Sequence, residues 1–212
     1  MPTTRSRRSD GARTHEAILQ VAARVASVEG VHGLTIGRLA DALGVSKSGL
    51  YAHFGSKQAL QLETIEAAKA IFDAEVMQPT FAAPEGRPQL ETLFDRFFSY
   101  VERAVFPGGC FFAALLAEED ARDGPIHQVV VEWERESVDA IAELVRDAQR
   151  LGQIAGDADA PQLAFELYSF IEMANFHFVL FRDPAVLERG RAAVRDTLDR
   201  SAGRPREAPV LE

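Results

Sequence analysis

Between Gly44 and Leu60 the chain reads GVSKSGLYAHFGSKQAL, and few of these side chains suit a buried core. Ser46, Ser48, Tyr51 and His53 offer hydroxyl and imidazole hydrogen bonds, Lys47 and Lys57 carry positive charge, and Gly49 leaves its backbone uncovered. Cations, hydroxyls and accessible N–H groups packed into one short stretch match the chemistry of phosphate oxygens and base edges. Lys47 and Lys57 are assigned to phosphate neutralisation, and Tyr51 and His53 to phosphate or sugar hydrogen bonds. Ser46, Ser48 and the Gly49 backbone are placed at the groove floor, with Thr35 touching the backbone of the groove wall.

Two short helices must hold these groups. Thr35 caps one whose buried side is Ile36, Leu39, Ala40 and Leu43, and Gly44 ends it. Ser46 caps the next, roughly Lys47 to His53. On that helix Leu50 and Phe54 lie four apart and share the buried side, while Ser48 and Ala52 point nearly the opposite way. Small outward side chains let a helix sink into a DNA major groove. Ala40 is small where the two helices cross, and Leu39, Leu43, Val45 and Leu50 supply the apolar contact of a helix-turn-helix. The competing reading is a surface hairpin with routine caps.

Apolar spacing is helical almost throughout, so the chain is expected to be all-α, with about nine helices. The first is placed at Ala12 to Val28, and a long fourth runs from Ser56 towards Val76 before the loop QPTFAAPEGRP. Further helices are placed at 88–104, 110–122, 126–151, 161–181 and 184–199. The corresponding domain map is a basic disordered arm at 1–11, a helix-turn-helix domain at 12–60, a larger helical domain at 61–201 and a disordered tail at 202–212. Charge follows the same division. The net charge is -9, yet residues 1–60 hold eight Lys and Arg (5, 7, 8, 13, 24, 38, 47, 57) against four acids (10, 16, 29, 41). A basic contact module joined to an acidic body fits that asymmetry. Arg5, Arg7, Arg8 and Arg13 on the arm are candidates to follow the minor groove, against a solvated tail.

Residues 12–60, above all VSKSGLYAHFGSK, resemble the DNA-binding domain of the tetracycline-repressor (TetR) family of transcriptional regulators. The resemblance implies that Tyr51 and Lys57 meet the DNA backbone, and Ala52 departs from the larger residue common there. A unit this small reads one half-site of double-stranded DNA, so two copies on an inverted-repeat operator are expected. The last two helices are the candidates for pairing, through a stripe of Leu163, Leu167, Phe170, Ile171, Ala174 and Phe178 with Leu187, Val194 and Leu198 beside it. The alternative is that this stripe only closes the core of one chain. The resemblance further implies a cavity for a small apolar or aromatic effector. Its candidate lining is Phe98, Phe112, Leu116, Trp133, Tyr168, Met173, Phe176 and His177, and the helix from Ser56 to Val76 is the expected lever.

Other constellations carry less. Glu119, Asp123 and His127 have the spacing of a helical metal face, but Gly124 and Pro125 interrupt it. Glu172 and His177 lie five apart and point in different directions on a helix, which leaves His177 as a polar anchor or a satisfied core histidine. The single cysteine, Cys110, has no positive neighbour to favour its thiolate and reads as packing. No catalytic group, metal site or cofactor is expected. No signal-peptide-like stretch or long apolar run appears, so a cytoplasmic protein without membrane contact is expected. The alternative function is a helical ligand-binding or scaffold protein whose basic module serves protein contacts.

Overall fold

The structure, a computed structural model, describes residues 4–202, with side chains at 13–202. Ten α-helices and one π turn are present among the described residues. They are α1 (Thr4–Glu29), α2 (Ile36–Leu43), α3 (Lys47–Phe54), α4 (Lys57–Phe72), a π turn (Asp73–Met77), α5 (Gln78–Ala82), α6 (Arg87–Glu102), α7 (Phe111–Glu119), α8 (Pro125–Arg150), α9 (Ala160–Phe181) and α10 (Ala185–Arg200). Since α4, the π turn and α5 follow without a break, the nine expected helical segments are all there. None is long and apolar enough to cross a membrane, among the described residues.

Two expectations are corrected. Helix α1 begins at Thr4, not Ala12, because no proline interrupts the arm after Pro2. The side chains of Arg5, Arg7 and Arg8 lie outside those described, as does the tail beyond residue 202. Helix also continues to Ala82, where a loop was expected from Gln78. Pro79 directly follows the π turn, where the regular α ladder is already altered.

The chain divides into two compact units, the first formed by residues 1–73 and 104–127. Here α1 packs on α2, α4 and α7, and α3 on α2 and α4. Its core includes Ala22, Leu34, Leu39, Leu50, Leu60, Ile65, Phe106, Phe111 and Leu115. The sequence boundary near residue 60 therefore falls inside α4, and α7 belongs to this unit. Ala40 is buried at the α2–α3 crossing, as its size suggests, but Val45 is half exposed and contributes little to that contact.

The second unit comprises residues 74–103 and 128–212. Helix α6 is its spine, burying Leu90, Leu93, Phe94, Phe97, Phe98 and Val101 against α5, α9 and α10. Val130, Ile141, Leu144 and Ala148 of α8 are buried as their spacing requires, whereas Leu151, just past the helix end, is exposed. Helices α9 and α10 meet closely at Gly190, where an added Cβ would lie 2.8 Å from the Phe98 ring and 2.9 Å from the Ala174 Cβ.

Candidate nucleic-acid interface

The helix-turn-helix is built as its cap residues dictate. Thr35 Oγ1 accepts from the Arg38 N–H at 3.1 Å, and Ser46 Oγ accepts from the Gly49 N–H at 3.2 Å. Gly44 takes the left-handed conformation (φ 66°) that ends α2, a conformation side chains with a Cβ disfavour. Ser56 repeats the cap for α4, accepting from the Ala59 N–H at 3.0 Å. Leu50 and Phe54 anchor α3 inward. Ser46, Lys47, Ser48, Gly49, Tyr51, Ala52, His53 and Lys57 are all exposed, so one short helix presents a connected polar surface. Tyr51 is 59% exposed, so its ring and hydroxyl are open to a partner.

Two of these groups have neighbours that the sequence did not indicate. The Lys47 ammonium lies close to Gly37 at the start of α2, 3.5 Å from where a Cβ would stand. The Lys57 ammonium donates to the His32 carbonyl at 2.7 Å, which places it beside the α1–α2 turn. The exposed His53 ring lies 5.8 Å from that of His15, while His15 pairs with Glu63 at 2.6 Å. Arg38, not among the expected site residues, pairs with Glu29 and holds that carboxyl below its usual range, chiefly by hydrogen bonding.

The same turn is clamped from α7. Glu118 accepts from the Val31 N–H at 2.7 Å and the His32 N–H at 2.8 Å, and Glu119 pairs with the His32 ring. Gln61 donates to the Val31 carbonyl at 2.7 Å. Thus the turn leading into α2 has its backbone polar groups matched by side chains from α4 and α7. The only sequence signal was an acidic pair closing an apolar helix, and such pairs are usually solvated. Glu119 is instead buried, and His127 meets its carbonyl oxygen at 3.0 Å, so Glu119, Asp123 and His127 do not present three ligands to one point.

The expected effector positions lie on several surfaces. Phe112 and Leu116 are on α7 in the first unit, Phe112 edge-on to Phe72 at 6.1 Å. In the second unit Phe98 is fully buried, with the Arg191 guanidinium 5.0 Å above its ring. Phe98 also borders a groove of about 270 Å³ between α6 and α10, beside Phe94, Asp95, Arg191 and Val194. Trp133 is half-buried on α8, and the Tyr168 hydroxyl lies 2.9 Å from both carboxylate oxygens of Glu134. Met173 and Phe176 are exposed in the single chain, because they stand on the side of α9 turned away from α6 and α10. His177 is half-buried with its ring 5.0 Å from Phe181, so it is not a core histidine. Cys110 is buried, in keeping with packing.

The stripe expected to pair two chains also needs correction. Leu163, Leu167, Ile171 and Ala174 are buried, as are Leu187, Val194 and Leu198 of α10, so these residues close the second unit's own core. Phe165, Met173, Phe176 and Leu180 form a separate apolar face, 40–71% exposed, on the opposite side of α9. The alternative reading, that the stripe closes the core of one chain, holds for its buried members, while Phe170 and Phe178 of the stripe are half-buried.

Comparison with known proteins agrees with this architecture. Residues 18–64 match the family model described as bacterial regulatory proteins of the tetR family. Residues 86–194 match the tetracyclin repressor-like C-terminal domain. A TetR transcriptional regulator from Chloroflexus aurantiacus superposes with a TM-score of 0.84 at 24% identity, covering 92% of this chain and 98% of its own. SCO4454, a TetR-family regulator from Streptomyces coelicolor, gives 0.75 at 25% identity, covering 90% and 95%. The TetR-family regulator CifR, in a cysteine-substituted form solved with 26 bp double-strand operator DNA, gives 0.67 at 24% identity, covering 87% and 95%. No curated protein matches the chain. With residues 18–64 and 86–194 matched and a capped helix-turn-helix presenting its polar face, the protein belongs to the tetracycline-repressor family of transcriptional regulators.

Proposed function

We propose that this regulator is a cytoplasmic repressor that binds an inverted-repeat operator as a homodimer and leaves it when a small apolar or aromatic ligand binds. The observation that carries the DNA contact is the exposed face of α3. Small Ser48 and Ala52 point outward, Tyr51 stands clear of the core, and Lys47 and Lys57 flank them. Lys47 and Lys57 neutralise phosphates, Tyr51 and His53 bond to phosphate or sugar, and Ser46, Ser48 and Gly49 approach the base edges. Thr35 and Arg38 address the neighbouring backbone. For Lys57 this requires its ammonium to exchange the His32 carbonyl for a phosphate oxygen. The operator-bound CifR is a fold-level precedent for such docking.

One helix-turn-helix reads one half-site, so the second copy follows from the need for two. The face of Phe165, Met173, Phe176 and Leu180 supports pairing, since an exposed stripe of large apolar side chains is costly in a lone chain. The effector is met by aromatic side chains of α8 and α9, with Trp133 and Tyr168 the central candidates and the Tyr168–Glu134 pair a polar anchor.

Selection of genomic fragments by the purified protein, followed by footprinting, tests this reading. A protected inverted repeat, lost on adding a compound that also raises the melting temperature, is the expected result. Absence of any footprint at low salt would overturn it and favour a scaffold or ligand-binding protein.

A further inference from the structure

Glu172 is out of place on α9. At about 100° per residue it falls within the exposed apolar face, beside Phe165 and Phe176 and one turn after Tyr168. Unlike those neighbours its carboxyl is withdrawn, and Oε2 is fully buried with no hydrogen-bond partner. Tyr168, one turn before it on α9, directs its hydroxyl to Glu134 at 2.9 Å. The charged group that acts on Glu172 through space is Glu134 of α8, which is itself an acid. On its own helix Glu172 has Tyr168 before it and His177 after it, the latter turned to Phe181. Helices α6 and α10 pack on the far side of α9, where Gly190 meets Ala174 and Phe98. Among the described residues, then, no donor meets Glu172 Oε2.

Burial, and secondarily the charge of Glu134, push the Glu172 carboxyl up to about 7 in the single chain. A second copy seated on the same face would remove still more water from it.

We propose that Glu172 makes the association of two copies proton-linked, each copy entering the pair with this side chain neutral. The inference rests on the homodimer reading above and adds a control to it. Because pairing raises the carboxyl's affinity for its proton, the stabilisation is complete below the single-chain titration and is lost as pH rises through the higher value of the pair. One linked proton changes the association constant by about tenfold per pH unit at its steepest, and one from each copy by about 100-fold. A regulator so built releases its operator as its surroundings become alkaline, even without effector.

The test is the dissociation constant of the full-length pair, measured by analytical ultracentrifugation from about pH 6 to pH 9 at fixed ionic strength. Wild type is expected to hold a constant value at the acid end and to weaken at least about tenfold between about pH 7 and pH 8.5. The neutral isostere Glu172→Gln is expected to keep the tight value throughout, with circular dichroism confirming its fold. For a pair too tight to dilute apart, subunit exchange between donor- and acceptor-labelled chains makes the same comparison. A flat wild-type profile, or an equal slope in Glu172→Gln, overturns the proton link while leaving pairing intact. A chain that stays single at every pH and concentration overturns the pairing and the link together.

Discussion

The clamp on the α1–α2 turn yields a quantitative expectation. Glu118 accepts two backbone N–H groups, from Val31 at 2.7 Å and His32 at 2.8 Å, and Val31 is only 2% exposed. A hydrogen bond to a charged group contributes about 1.5–3 kcal/mol, and a buried donor left unmatched loses its solvation as well. Both bonds share one carboxylate and the site is partly open, so the lower end applies to each. Glu118→Ala should therefore cost about 2–4 kcal/mol, a fall of about 5–15 °C in melting temperature for a chain of this size. Glu118→Gln keeps one acceptor oxygen and turns an N–H group towards the second donor, so it should retain at most half of that. Urea unfolding followed by circular dichroism gives the free energy, and amide hydrogen exchange gives its location. The Val31 and His32 amides should lose protection first. The neighbouring exposed Asp120→Ala serves as a control and should stay within about 0.5 kcal/mol of wild type. A loss below about 0.5 kcal/mol for Glu118→Ala, with Val31 and His32 still protected, would refute the idea that α7 holds this turn.

Three further outcomes are expected. Lys47→Ala should weaken binding to all DNA sequences and reduce the slope of log affinity against log salt by about 0.9 for the one lost phosphate contact, whereas Ser48→Ala should alter sequence preference. Equal salt slopes in the wild type and the Lys47 variant would remove the phosphate assignment. Phe176→Glu, placed on the exposed face of α9, should yield a folded single chain by light scattering, and an unchanged mass would move the pairing surface elsewhere. Gly190→Ala should destabilise by about 1–3 kcal/mol in thermal or urea unfolding, because its Cβ meets the buried Phe98 ring, and a neutral effect would mean that α9 and α10 have room to separate.

Much of the geometry of the proposed DNA-binding surface could be read without coordinates because its determinants are local. Thr35, Ser46 and Ser56 cap the helices that follow them, Gly44 takes the turn conformation its type allows, and the four-residue spacing of Leu50 and Phe54 fixes which side of α3 is outside. Each depends on residues within one or two turns along the chain. The reading was weaker where contacts join distant segments. Glu118 and Val31 are 87 residues apart, and nothing in either neighbourhood announces the other. The inner and outer sides of α9 are both apolar, so periodicity shows that the helix has faces without showing which one the chain itself covers.

The order of the amino acids alone therefore determined the all-helical class, the caps and turns, the outward surface of α3 and the separation of a basic front from an acidic body. All of these follow from backbone preferences and spacing over a few residues. Tertiary structure decided that α7 joins the first unit, that Lys57 sits against the α1–α2 turn, that Leu167 is core while Phe176 is surface, that Tyr168 pairs with Glu134, and that Glu172 Oε2 is buried without a partner. The physical reason is that an apolar side chain is buried, or a carboxylate compensated, only by whatever other part of the chain the fold brings beside it.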